Sequence, residues 1–132
     1  MAASCCYGGT PAALAFACSG CSNVGQLSND VAVKLTREGY GKMSCLAGVG
    51  AHIRGFVVSA KDAQRLVAID GCDLHGTLKV LQHAEASPYL RLTLTDRGFV
   101  NKHCASVTED ELERAFAIAV KRIKELPCST DS

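Results

Sequence analysis

The sequence predicts an α/β fold: a three-layer sandwich with helices on both faces of a mainly parallel four-stranded sheet, flavodoxin-like or Rossmann-like, with strand order 2-1-3-4. Three observations lead to it. Strand-like apolar runs alternate with helix-like periodic stretches four times along the chain, the pattern of a parallel sheet with helical crossovers. The first run, residues 12–17, is apolar at every position rather than at alternate ones, as a strand covered on both faces requires. Finally, 132 residues fit one domain, enough to remove roughly two-thirds of the unfolded surface from water. Right-handed crossovers then bring the C-terminal ends of the parallel strands to one edge.

The elements follow in order. The strand at 12–17 ends at Cys18, and after Cys18-Ser19-Gly20-Cys21 a helix runs from Ser22 or Asn23 to Glu38. Val24, Leu27, Val31 and Leu35 form its apolar stripe, and Gly39 is placed for a C-terminal cap. A second strand at 41–46, carrying Cys45 at its end, opens into a glycine loop, Ala47-Gly48-Val49-Gly50-Ala51, with a short helix after it. Ser59 is the expected cap of a further helix through Asp62 and Arg65. Leu66-Val67-Ala68-Ile69-Asp70 is the third strand, running into Gly71-Cys72. A helix carrying Leu78, Leu81 and Gln82 ends before Pro88, and residues 89–95 alternate apolar with polar, as an edge strand with one wet face does. Thr108-Glu109-Asp110-Glu111 is a capping box that opens the last helix. Leu112, Phe116, Ala119, Val120 and Ile123 are its expected stripe, and Lys121, Arg122 and Lys124 end it in keeping with the helix dipole. The whole of 1–132 reads as one domain, with a flexible arm at 1–11 and a frayed tail at 127–132.

Composition removes several function classes. Hydrophobic residues make up 48% and charged ones 20%, which excludes a disordered chain. A net charge of +1 gives no grip on nucleic acid or an anionic membrane. With no Trp, three Tyr and four Phe, a stacking platform for bases or sugars is not expected. The first seven residues, Met-Ala-Ala-Ser-Cys-Cys-Tyr, hold no Lys or Arg, so the basic start of a secretory signal is missing. The apolar run that follows falls far short of the ~18 residues of a membrane span. The expected location is the cytoplasm, with no nucleic-acid or membrane partner; nothing specifies a protein partner.

Eight cysteines are many for such a compartment, where structural disulfides are rare and clustered thiols bind metal or do redox chemistry. Their positions matter more than their number. Cys18, Cys45 and Cys72 end the first three strands, Cys21 lies one helical turn beyond Cys18, and Cys104 falls in the loop after the fourth strand. Open α/β sheets bind ligands at that edge. Neighbouring strands stand ~4.8 Å apart, a gap that sulfur–zinc bonds of ~2.3 Å can close. A single cysteine is most often a small buried hydrophobe, but strand ends beside glycine loops are poor places to hide a side chain.

The expected function is therefore zinc binding by Cys18, Cys21, Cys45 and Cys72, in metal handling or sensing. Cys104, His75, Cys5 and Cys6 are held in reserve. His75 follows Cys72 by three residues, His103 adjoins Cys104, and Cys128 stands apart. Each histidine taken alone is more often a surface residue. Cu(I) or an iron–sulfur cluster are the other soft-donor cofactors. Cys18-Ser19-Gly20-Cys21 also fits a thioredoxin-type pair, its thiolates favoured by a helix N-terminus, so a thiol–disulfide or persulfide redox enzyme using Cys18 and Cys21 is the alternative. Otherwise an enzymatic role is not expected. No Ser/His/Asp or paired-carboxylate constellation is present, and the 47–51 loop matches no phosphate fingerprint; tight packing is its plainer reading.

Cys18-Ser19-Gly20, the stretch Gly41-Lys42-Met43-Ser44-Cys45-Leu46-Ala47-Gly48-Val49-Gly50 and Ala68-Ile69-Asp70-Gly71-Cys72 together resemble the DGC-domain family of zinc-binding (metal-binding) proteins, named for the Asp-Gly-Cys triplet. The resemblance spans most of the chain. It implies a small α/β metal-binding protein with Cys18, Cys45 and Cys72 as ligand positions. Many members carry a further cysteine four positions after the triplet, where this chain has Gly76, and some lack the counterpart of Cys21. The fourth ligand therefore stays open among Cys21, Cys104, His75 and the Cys5/Cys6 pair. Asp70 is expected to steady the ligands, and Gly71 to let the backbone approach the ion.

Overall fold

A computed structural model describes residues 13–126. The expected arm and tail, with Cys5, Cys6 and Cys128, lie outside the described residues.

Four parallel strands form one sheet in the order β2-β1-β3-β4: β1 is Ala13–Ala17, β2 Gly41–Met43, β3 Leu66–Asp70 and β4 Leu90–Thr93. The strand order is the expected one. Helices α1 (Asn23–Arg37) and α5 (Glu109–Lys124) cover one face, and α2 (Leu46–Gly50), α3 (Arg54–Asp62) and α4 (Gly76–His83) cover the other. Strand alternation produces the two cores. Ala13, Ala15, Ala17, Val67 and Ile69 turn toward Val24, Leu27, Val31 and Leu35 of α1 and Ala115, Ala119 and Ile123 of α5. Phe16, Leu66 and Ala68 turn the other way, onto Val49, Ala60 and Leu81. The buried line of α5 thus includes Ala115, with Leu112, Phe116 and Val120 half-buried beside it.

Caps define most of the ends. Ser22 caps α1 by accepting the Gly25 N–H at 3.1 Å, and Thr108 with Glu111 forms the full capping box of α5. Four expectations need correction in the middle of the chain. The second strand stops at Met43, and residues 46–50 are helical rather than a loop. The turn happens there because Cys45 is itself a cap, its Sγ accepting the Gly48 N–H at 3.3 Å. Gly48 is required by packing: a Cβ on it would stand 2.4 Å from the Phe56 ring. Ser59 lies inside α3 and caps nothing, since that helix begins at Arg54 after Ile53. The fourth strand is also shorter than its alternation suggests, because buried Leu94 begins a 3-10 turn (Leu94–Arg97) closed by Gly98 at φ +89°.

Candidate metal centre

The C-terminal edge of the sheet is where β1 and β3 part, β2 lying beyond one and β4 beyond the other. Such a reversal of strand order leaves a crevice. Cys18 sits in it at the end of β1, half-buried, with its Sγ 3.1 Å from Ser28 Oγ and 3.2 Å from the Gly71 N–H, which donates to it. The Ser28 hydroxyl has one proton to give and faces the carbonyls of Cys18 and Gly25 at 2.8 and 2.9 Å. The consistent arrangement has the Cys18 thiol donating to Ser28 and accepting from Gly71. Burial pushes the Cys18 thiol up. The expected helix-stabilised thiolate at this position is therefore reversed. The physical reason is burial in the crevice, and the side chain that caps α1 is Ser22, which accepts the Gly25 N–H.

The triplet at the end of β3 divides into distinct roles. Asp70 is buried and accepts the Thr77 and Leu78 N–H groups at 2.7 and 3.1 Å. It thereby supplies the cap that α4 lacks locally, since its preceding residue, His75, is left-handed (φ 54°) and makes no side-chain cap bond. Gly71 passes so close to α1 that a Cβ would lie 2.6 Å from the Val24 carbonyl carbon; no other residue fits. Cys72 is half-buried and packs against the core shared by α1 and α5. Cys45 is exposed and borders an open cavity of about 700 Å³ with Lys42, Ile53 and Phe56. His75 lines a smaller recess of about 310 Å³ with Arg91 and Arg97.

Among the described residues, Cys21, His103 and Cys104 form the one group of three or more His, Cys, Asp or Glu donors whose ligand atoms all lie within 4.8 Å of one another. The Cys21 and Cys104 sulfurs are 2.6 Å apart, and His103 Nε2 is 3.9 Å from Cys21 Sγ. The hydrogen bond to Cys21 raises the Cys104 thiol above its ordinary range. Cys18, Cys45 and Cys72 lie one or two residues past the ends of β1, β2 and β3 and outside this group.

Asn23 builds the group. It is buried at 3% exposure, with its Nδ2 donating to the Val100 carbonyl at 2.8 Å and its Oδ1 accepting the Lys102 N–H at 2.6 Å. Backbone bonds from Asn23 to Lys102 (3.0 Å) and from Cys104 to Cys21 (3.0 Å), with an antiparallel bridge between Ser22 and His103, complete the clip. Cys104 is left-handed at φ 57°. That conformation costs a non-glycine residue ~1 kcal/mol or more, and here it accompanies a sulfur brought onto Cys21.

Two thiolates and an imidazole are standard zinc donors, with Zn–S ~2.3 Å and Zn–N ~2.0 Å. On one tetrahedral ion the two sulfurs stand ~3.8 Å apart and sulfur and nitrogen ~3.6 Å apart. The Cys21–His103 separation already fits, and the sulfurs must open by about 1 Å, within reach of a rotamer change because all three side chains are exposed. Of this group the sequence ranked Cys21 first and Cys104 in reserve. His103, which adjoins Cys104 in sequence, is brought beside Cys21 although the sequence does not place it among the candidate ligands.

A family model described as DGC domain matches residues 14–119. The chain is 41% identical over 106 residues to the anaerobic and virulence modulator AnvM of Pseudomonas aeruginosa, an alignment covering 80% of this chain and 81% of that protein. No solved structure matches.

Proposed function

The chain belongs to the DGC-domain family, and on that premise we propose that it is a zinc-binding protein acting in metal handling or sensing, with its ligands at the C-terminal edge of the sheet. The observation that carries this is the convergence of Cys21, His103 and Cys104 from segments more than eighty positions apart. These three are the proposed ligands. Three protein donors leave a fourth position for a further thiol, a water or a partner's donor, as an exchangeable site needs. The strand-end set Cys18, Cys21, Cys45 and Cys72 is the competing assignment and shares Cys21 with it.

Zinc suits a mixed thiolate–imidazole set, while Cu(I) and iron–sulfur clusters draw on thiolates more heavily. A cytoplasmic setting suits the reading, because reducing conditions keep exposed thiols available. Among the described residues no helix is long and apolar enough to cross a membrane. The relative's description as a modulator favours sensing over catalysis by the same site.

Elemental analysis of protein purified anaerobically tests the proposal. The expected content is about one zinc per chain, lost in Cys104→Ser and kept in Cys72→Ser. The reverse pattern selects the strand-end set, and metal-free protein that takes up no zinc refutes both.

A further inference from the structure

The Cys21–Cys104 contact says more than a shared ligand role requires. Two thiolates on one zinc stand ~3.8 Å apart, whereas a disulfide holds its sulfurs at ~2.05 Å. The two sulfurs are in direct contact, so either arrangement is reached by a small side-chain movement. The backbone on both sides is already fixed, by the Cys104-to-Cys21 hydrogen bond and the Ser22–His103 bridge, so closing the pair asks only for side-chain rotation. Both sulfurs are exposed to solvent and hence to an oxidant. Cys18, the other half of the Cys-x-x-Cys motif, is instead half-buried and hydrogen-bonded to Ser28 and Gly71. The motif and the working pair thus differ: the partner of Cys21 lies 83 positions away.

We propose that Cys21 and Cys104 form a reversible dithiol–disulfide couple, and that its oxidation by a hydroperoxide expels the ion held with His103. The second half rests on the metal-binding reading above. With hydrogen peroxide, one sulfur attacks the O–O bond: an S–O bond forms, the O–O bond breaks and the first water leaves. The second sulfur then attacks that sulfenic sulfur: the S–S bond forms, the S–O bond breaks and the second water leaves. Two thiols are oxidised by two electrons in total, and one peroxide is reduced to two waters. A dithiol reductant reverses the step by exchange. Because a disulfide sulfur is no longer a thiolate, two of the three donors are lost together.

The experiment uses full-length protein stripped of metal under reductant, then given one equivalent of hydrogen peroxide and mapped as non-reduced peptides by mass spectrometry. The expected product joins the Cys21 and Cys104 peptides, disappears with dithiothreitol, and is absent from Cys104→Ser. Zinc-loaded protein treated in the same way should release its zinc in step with the crosslink. A crosslink between Cys18 and Cys21, or sulfinic acid at Cys21 with no crosslink, overturns the couple while leaving zinc binding intact. If the crosslink forms but reduced protein never takes up zinc, the metal reading and the release step fail together and the couple alone stands.

Discussion

The Gly71 N–H donates to Cys18 Sγ at 3.2 Å, joining the ends of β1 and β3 at the point where the strand order reverses. This bond, the Asp70 cap on α4 and the close approach of Gly71 to α1 give the Asp-Gly-Cys triplet a structural duty. The triplet sets how the crevice is walled.

Gly71→Ala should be the most damaging small substitution at the edge. Its Cβ would fall 2.6 Å from both the carbonyl carbon and oxygen of Val24, backbone atoms that cannot rotate away. Overpacking of this kind costs about 1–3 kcal/mol, to be read as a lowered urea midpoint with an unchanged slope.

Asp70→Ala should destabilise the fold by about 1–3 kcal/mol, because it strips two N–H groups of α4 of their acceptor. Zinc content should stay the same. Loss of zinc in a variant that still folds would make Asp70 part of the metal site instead of a cap.

Asn23→Ala should separate the loop carrying His103 and Cys104 from the start of α1. It removes both side-chain bonds to Val100 and Lys102, at about 0.5–1.5 kcal/mol for each bond lost. Competition with a chromophoric chelator should show weaker zinc binding at unchanged helix content. Full affinity in this variant would mean the clip does not position the ligands.

Metal-free protein should lose stability as pH rises above ~8.5, the usual thiol range. Burial raises the folded Cys18 thiol, so in that window the unfolded chain releases its proton first and stability declines until the folded thiol also ionises. Below the unfolded value the contribution is fully present. Cys18→Ser should flatten the decline in denaturant midpoints between pH 7 and 10; an unchanged profile assigns it to other groups.

The fold was legible because local signals and burial agreed along most of the chain. Ser22, the stripe through Val24, Leu27, Val31 and Leu35, and the Thr108–Glu111 box each specify an element without help from distant residues. Between residues 44 and 62 that agreement fails. A cysteine caps α2, and Gly48 reads as a loop signal although its place is set by the Phe56 ring. The site was legible only as an edge. Strand ends located Cys18, Cys45 and Cys72, but the close group depends on Asn23 pairing with residues 77 and 79 positions away, and no spacing rule carries that.

Zinc stoichiometry of anaerobically purified Cys21→Ser and Cys104→Ser beside the unaltered chain tests the central claim most directly. The account predicts about one zinc per chain in the unaltered protein and almost none in either variant, with the fold retained in all three because both side chains are exposed. Zinc retained in full by folded Cys104→Ser would contradict it.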